Sequence, residues 1–202
     1  MISQLTPIFG SKTKAQEILF LLNDAKEVVR QGFYEAELPK VELFCKDNHL
    51  FLIKSKFKVL LEDKDKVFSN KGIRIDENDP RSGMFFIYLS KDEQKALFAS
   101  YAELTNNHSE LGRLLGYPAC CIEFFCQMFN ENNTNLELPL TNPWTNLSLR
   151  EKDAVLLSHF PCSSECGESI NLAQKYFDII RKADAERAKE LVISMNLSTA
   201  TQ

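Results

Sequence analysis

The alternation of apolar and polar positions divides the chain into a helical start, a middle of short strands and a helical remainder. Between Ser11 and Phe33 apolar residues recur at intervals of three and four, which predicts an amphipathic helix that ends at Gly32. Short apolar runs separated by turn residues then predict an antiparallel β-meander. These runs cover residues 41–45, 50–53, 57–61, 67–68 and 84–89.

Helical patterns take over after residue 90. Capping residues and prolines predict helix starts near residues 90, 107, 118 and 148, and a long final helix from residues 163–164 to about residue 195. Residues 119–129 are apolar at almost every position, so we expect a central helix that is buried on most sides. The predicted fold class is therefore α+β, with an N-terminal helix and a small antiparallel β-meander followed by a C-terminal helical part with a long final helix.

The same pattern predicts how the chain is organised. We expect residues 1–90 to contain the first helix and the sheet, and residues 91–196 to form a helical region that carries most of the cysteines. The two regions are expected to pack as one unit. Residues 197–202 are expected to be a frayed tail.

Composition narrows the function classes. The 202 residues are 44% apolar and 26% charged, which is ordinary for a globular protein. A net charge of −4 makes general nucleic-acid binding unexpected, because such binding depends on Lys and Arg neutralising phosphates. With neither a leader-like N-terminus nor a run of about 18 apolar residues, we expect a cytoplasmic protein without a membrane role. The heavily charged residues 181–190 are a candidate surface for a protein partner.

Candidate chemistry is concentrated in two segments, residues 114–126 and 159–166, which contain five of the six cysteines. Each segment places a proline beside a predicted helix start. Free N–H groups and the helix dipole at such starts favour thiolates, the form of cysteine that binds metals and attacks electrophiles. A reducing compartment makes lasting disulfides uncommon and favours metal or redox chemistry. The candidate metal ligands are Cys120, Cys121, Cys162, Cys166 and His159.

Three uses of this cluster stay open on spacing alone. The first is zinc or an iron–sulfur cluster, although adjacent helical residues diverge by about 100°, which makes it awkward for Cys120 and Cys121 to bind one ion. The second is thiol chemistry, either a disulfide between the segments or a catalytic Cys121 assisted by His159. The third is simple packing, which we expect for Cys45 and Cys126 because both align with apolar neighbours.

The two segments also resemble the hallmark motifs of an uncharacterised, mostly archaeal family built on a domain of unknown function. They read Gly116-Tyr-Pro-Ala-Cys-Cys-Ile-Glu-Phe-Phe125 and His159-Phe-Pro-Cys-Ser-Ser-Glu-Cys166. The likeness extends over roughly residues 105–180 and carries no established reaction. It implies one shared site formed by Tyr117, Pro118, Cys120, Cys121, His159, Pro161, Cys162, Cys166 and Ser169.

We therefore expect a cysteine-site protein that binds zinc or an iron–sulfur cluster, with redox or sulfur-related chemistry as one use of the site. The alternative is a non-catalytic structural or interaction module, in which disulfides or a structural metal pin two helices together. An open coordination position favours an enzyme, whereas a closed four-ligand site favours the module.

Overall fold

The computed structural model of this chain describes residues 1–61, 72–130, 132–139 and 142–196. These residues form an α+β fold with an antiparallel sheet and a long C-terminal helix, which confirms the predicted class. The predicted strand at residues 67–68 and the predicted tail at residues 197–202 lie outside the described residues. The elements in chain order are α1 Ile2–Phe9, α2 Lys12–Leu22, β1 Val28–Phe33, α3 Leu38–Asp47, β2 Phe51–Leu61, β3 Gly72–Asp76, β4 Met84–Ser90, α4 Glu93–Leu104, α5 His108–Leu114, α6 Ala119–Met128, α7 Gly167–Ala183 and α8 Ala185–Ser194.

The chain divides into two compact units. The first combines residues 1–25 with the described residues from 118 onward, so it holds α1, α2 and α6 to α8. The second is residues 26–117, which hold the sheet with α3 to α5. The organisation predicted as segments 1–90 and 91–196 stays a prediction. Within the described part of the chain, every helix is too short or too polar to cross a lipid bilayer.

The sheet of the second unit has the strand order β1-β4-β2-β3, with all neighbours antiparallel. A register shift between Lys54 and Lys58 marks an irregularity in β2 where it pairs with β4. Helices α4 and α5 pack on one face of the sheet because their small and aliphatic residues form a buried cluster with strand side chains. The cluster comprises Val28, Tyr88, Ala96, Ala99, Ala102, Leu111, Leu114 and Leu115.

A buried ion pair joins this sheet to α4. The Arg30 guanidinium donates two hydrogen bonds of 2.5 Å to the Glu103 carboxylate, and the Tyr88 hydroxyl donates a third of 2.7 Å. Arg30 also stacks over the Phe86 ring at 3.7 Å from its centroid. Burial alone would raise the pKa of Glu103, but the charge and hydrogen bonds of Arg30 and Tyr88 hold the pKa of that carboxyl below its ordinary value.

Two elements of the N-terminal half differ from their predictions. The helix expected over residues 11–33 ends at Leu22, because Asp24 adopts a left-handed φ of 57°, and the β-branched Val28 and Val29 begin strand β1. Gly32 lies inside that strand, opposite Phe86, and ends no helix. Residues 41–45, predicted as a strand, belong to helix α3, whose start is favoured by Pro39 and whose buried residues Val41 and Cys45 are one turn apart.

The first unit is centred on the contact between α2 and α7. Phe20 and Tyr176 stack at 4.1 Å between ring centroids, and both side chains are fully buried. Helix α8 is joined to this pair by Arg187, which is 5% exposed and donates to the Gln16 side chain at 2.7 Å and to the Asp153 carbonyl. The charged residues 181–190 are therefore partly built into the core of the unit.

The segment before α7 also differs from its prediction. A helix was expected from residue 148 to about residue 158, but only a single 3₁₀ turn, Arg150–Lys152, is formed. Asp153 then adopts a left-handed φ of 57°, and its carboxylate accepts hydrogen bonds from the backbone N–H groups of Lys12 and Thr13. The chain stops being helical here because Asp153 satisfies the free N–H groups at the start of α2.

The buried ion pair predicts a large difference between two chemically identical substitutions. Glu103→Gln leaves the Arg30 guanidinium without its counter-charge, so we expect the free energy of unfolding to fall by roughly 3 kcal/mol. This value is at the low end for a buried ion pair because a third of the Arg30 side chain stays exposed. Glu110→Gln removes the exposed partner of Arg113 and should cost under about 1 kcal/mol. Urea unfolding followed by circular dichroism measures both; equal losses would contradict the assignment.

The same pair predicts a pH dependence. Because the folded pKa of Glu103 is lowered, its contribution to stability is complete above the unfolded carboxyl pKa of about 4.3 and is lost as the pH falls through the lower folded value. The stability difference between wild type and Glu103→Gln should therefore be constant above about pH 5 and shrink in more acidic solution. A difference that stayed the same down to about pH 2 would argue against this pair as the cause.

Candidate metal centre

Four cysteines come together where two helices of the first unit begin. Cys120 and Cys121 lie in the first turn of α6, directly after its N-cap Pro118. Cys166 is the N-cap of α7, and Cys162 lies just before the short turn that is closed by the hydrogen bond from Cys166 N–H to the Ser163 carbonyl. The predicted helix start at residues 163–164 is thus shifted to Gly167, and Cys162 and Cys166 do not share a helix face.

The sulfur atoms form a tight group. Cys120 Sγ lies 3.9 Å from Cys121 Sγ and 3.7 Å from Cys166 Sγ, and the Cys121–Cys166 separation is also 3.7 Å. With Cys162, all four Sγ atoms lie within 4.8 Å of one another. Bonded sulfurs are only about 2.05 Å apart, and all six cysteines are free. The group therefore contains no disulfide and could hold a metal ion.

The expected difficulty in using both adjacent cysteines is overcome by their position at the helix start. Helical side chains lean toward the N-terminus, so in the first turn they can extend past the end of the helix instead of diverging around it. Cys120 and Cys121 reach the same space in this way. The 100° argument applies within a helix and was wrong for this first turn.

His159 lies beside the sulfur group and is not one of its four members. Its Nε2 is 2.9 Å from the Ser169 hydroxyl, which in turn is 3.2 Å from Cys121 Sγ. All three side chains are buried. If His159 assisted Cys121 as a base, the proton would thus have to pass through the Ser169 hydroxyl. Only the family resemblance singled out Ser169, because a serine three residues into a helix carries no distinctive signal of its own.

The surroundings shift the pKa values of the thiols in different directions. Burial would raise the pKa of Cys166, but donors from Ser169 and the neighbouring thiols Cys162 and Cys120 lower it to about 7. Burial raises the pKa of Cys162 to about 11 and raises that of Cys121 well above its ordinary value. One sulfur also receives a backbone donor, since Cys162 N–H lies 3.3 Å from Cys121 Sγ. Of Cys121, Cys162 and Cys166, it is therefore Cys166 that ionises most readily near neutral pH.

Access to solvent divides the group into two pairs. Cys121 and Cys166 are buried, whereas Cys162 is half-buried and Cys120 reaches the surface. Helix α6 itself is far less buried than its composition predicts, because Cys121 is its only buried residue. Phe125 instead stacks on Phe129, the residue that follows the helix, at 4.6 Å between centroids, and on Phe160 at 6.4 Å.

The remaining two cysteines are not members of the group. Cys45 is buried on α3 in the second unit, as expected for a packing residue, although on a helix instead of a strand. Burial raises the pKa of Cys45 to about 12. Cys126 was also expected to be buried, but it is exposed on the outer face of α6 because that helix packs through its first turn.

Comparison with known proteins finds one family model and no reaction. A family model described as "Protein of unknown function (DUF483)" matches residues 100–195, which confirms the resemblance to an uncharacterised family. The matched region contains the four clustered cysteines, His159 and Ser169. No curated protein and no solved structure matches the chain significantly.

The exposures predict an order of chemical modification. In metal-free native protein at neutral pH, iodoacetamide should modify the exposed Cys126 and Cys120 at least about ten times faster than Cys45, whose thiol is buried and whose pKa is raised. Peptide mass spectrometry after short labelling pulses measures each rate. In denaturant the six rates should converge; a native Cys45 as reactive as Cys126 would contradict this packing.

Proposed function

We propose that this protein binds one zinc ion through the thiolates of Cys120, Cys121, Cys162 and Cys166, and that the ion fastens the start of α6 to the start of α7. The observation that carries the proposal is the spacing of the sulfurs. A zinc–sulfur bond of about 2.3 Å places the corners of a regular tetrahedron about 3.8 Å apart. The Sγ separations among Cys120, Cys121 and Cys166, which are 3.7, 3.7 and 3.9 Å, match that value.

The same spacing favours a single ion over an iron–sulfur cluster. Four thiolates around one ion share one small tetrahedron, which is typical of zinc and of a lone iron. In a multi-iron cluster the thiolates sit outside a core of irons and bridging sulfides, so they are further apart than around one ion. Sulfurs that all lie within 4.8 Å of one another leave little room for such a core.

The surroundings offset the charge of the site. Four thiolates and one divalent cation carry a net charge of −2, which is costly to bury without donors. The N-termini of α6 and α7 both point positive partial charges toward the sulfurs, and the Cys162 N–H and Ser169 hydroxyl supply hydrogen bonds. Such donors are what a four-thiolate site needs at a protein surface.

The number of ligands favours a structural role. Four cysteines complete the tetrahedron, which leaves no position for a substrate, as is usual in structural zinc sites. The position of α6 also depends on the site, because this apolar helix buries only Cys121. We therefore infer a non-catalytic module whose metal pins two helices. A cytoplasmic location and a protein partner at residues 181–190 stay predictions.

One observation favours a second candidate, a reactive thiol site. Cys120 reaches the surface and Cys162 is half-buried, so one edge of the tetrahedron is accessible to solvent. An oxidant or electrophile could reach these two sulfurs without unfolding of the unit. This candidate requires turnover with a thiol-reactive substrate, whereas the structural role requires only that the metal supports the fold.

Metal content and stability test the proposal together. Purified protein should contain one zinc per chain by elemental analysis, and Cys162→Ser should lose that zinc. The melting temperature should fall by roughly 10 °C, because losing a structural metal removes several kcal/mol of stability. Cys126→Ser is the matched control, since Cys126 is exposed on the same helix outside the group; it should keep both zinc and stability.

Two results would overturn the proposal. Wild-type protein with six titratable thiols and no affinity for zinc would leave the four cysteines without a metal role. Iron with broad visible absorption would replace zinc with an iron site. Zinc in the wild type and in Cys126→Ser but not in Cys162→Ser supports the assignment.

A further inference from the structure

A buried line of hydrogen-bonding groups leads away from the sulfur cluster. Cys121 Sγ is 3.2 Å from the Ser169 hydroxyl, and that hydroxyl is 2.9 Å from His159 Nε2. Cys121 and His159 are 2% and 5% exposed, and Ser169 is wholly buried, so water cannot substitute for these contacts. A serine inside a helix usually bonds a carbonyl of the preceding turn. Here its hydroxyl instead lies between the sulfur and the imidazole.

The direction of these hydrogen bonds follows from the chemistry of the ligand. A metal-bound thiolate has no proton to give, so the contact between Cys121 and Ser169 holds only if the serine donates. The hydroxyl has a single proton, which is directed toward the sulfurs, where Ser169 also lowers the pKa of Cys166. Ser169 Oγ must therefore accept the hydrogen bond that joins it to His159. The histidine is then protonated on Nε2. Metal binding thus fixes the orientation of all three groups.

We propose that His159 and Ser169 are positioning residues, which hold the Cys121 thiolate in place for the metal through this relay of two hydrogen bonds. The inference rests on the four-cysteine metal site proposed above and assigns His159 a role outside the set of metal ligands. Partners of this kind orient a ligand and tune its basicity, and their loss typically lowers metal affinity 10–100-fold.

The geometry explains why this relay serves Cys121. Cys166 caps α7 and Cys162 lies just before the turn that leads into this cap, so one short segment of backbone carries both sulfurs. Cys121 comes from a different helix, α6, whose other side chains are not buried. Ser169 lies on α7, and His159 lies before Cys162 in the chain. The relay therefore connects Cys121 on α6 to the segment that carries Cys162 and Cys166.

Cobalt binding by the full chain tests the relay. Co²⁺ reports tetrahedral thiolate ligation by its visible spectrum, and competition with a chelator gives its affinity. Ser169→Ala and His159→Leu should each weaken Co²⁺ binding about 10–100-fold and change the visible bands at saturating metal. The double variant should lose no more than the stronger single one, because both substitutions break the same relay.

Two further variants separate positioning from packing. His159→Gln keeps an N–H donor near the place of Nε2 and should recover a large part of the affinity that His159→Leu loses. Tyr176→Phe removes another buried hydroxyl from α7, two turns beyond Ser169, and should leave cobalt affinity and spectrum unchanged. Circular dichroism of each variant with bound metal establishes that it is folded.

Distinct outcomes decide the two proposals. Wild-type protein that binds no Co²⁺ would remove the four-cysteine site itself. Wild type that binds one Co²⁺, with Ser169→Ala and His159→Leu within twofold of it and spectrally identical, would overturn only the relay. Equal losses in His159→Gln and His159→Leu would also overturn it, because the side chain would then matter for its volume and not for its donor.

Discussion

The constraint on which the cysteine unit depends is electrostatic. Four thiols whose sulfurs all lie within 4.8 Å of one another cannot all ionise unless a cation sits among them, because like charges at that distance repel strongly. The helix N-termini of α6 and α7 offset part of this repulsion. In the proposed site, a metal ion offsets the rest. Cys121, the only buried residue of helix α6, is one of the four thiols.

The location of the site could be predicted from the sequence because the signals were local. Prolines beside helix starts place Cys120, Cys121 and Cys166 at the ends of helices, and the order of patterns along the chain predicts an α+β fold. These features depend on a few neighbouring residues. Spacing could not predict that both adjacent cysteines reach one point, because this depends on where the first turn ends and on what lies beyond it.

The errors have a common cause in tertiary packing. Apolar spacing over residues 41–45 suits a strand as well as one face of α3, and Pro39 at the start of the helix favours the helix. A run of apolar residues over 119–129 suggests burial, yet Cys121 is the only buried residue of α6, and Phe125 packs on Phe129 and Phe160, which lie outside the helix. Spacing also could not show that the Ser169 hydroxyl lies between His159 Nε2 and Cys121 Sγ.

The two units differ in the charges of their clustered ionisable groups. In the sheet unit, Arg30 and Glu103 carry opposite charges, so the pair is neutral as soon as the chain folds, and Tyr88 completes its hydrogen bonding. The cysteines of the cluster all become negative when they ionise, so the cluster contains no opposite charge of its own. The stability of the sheet unit is then a property of its sequence and of pH, whereas under the proposed metal binding that of the cysteine unit also depends on the metal in its surroundings.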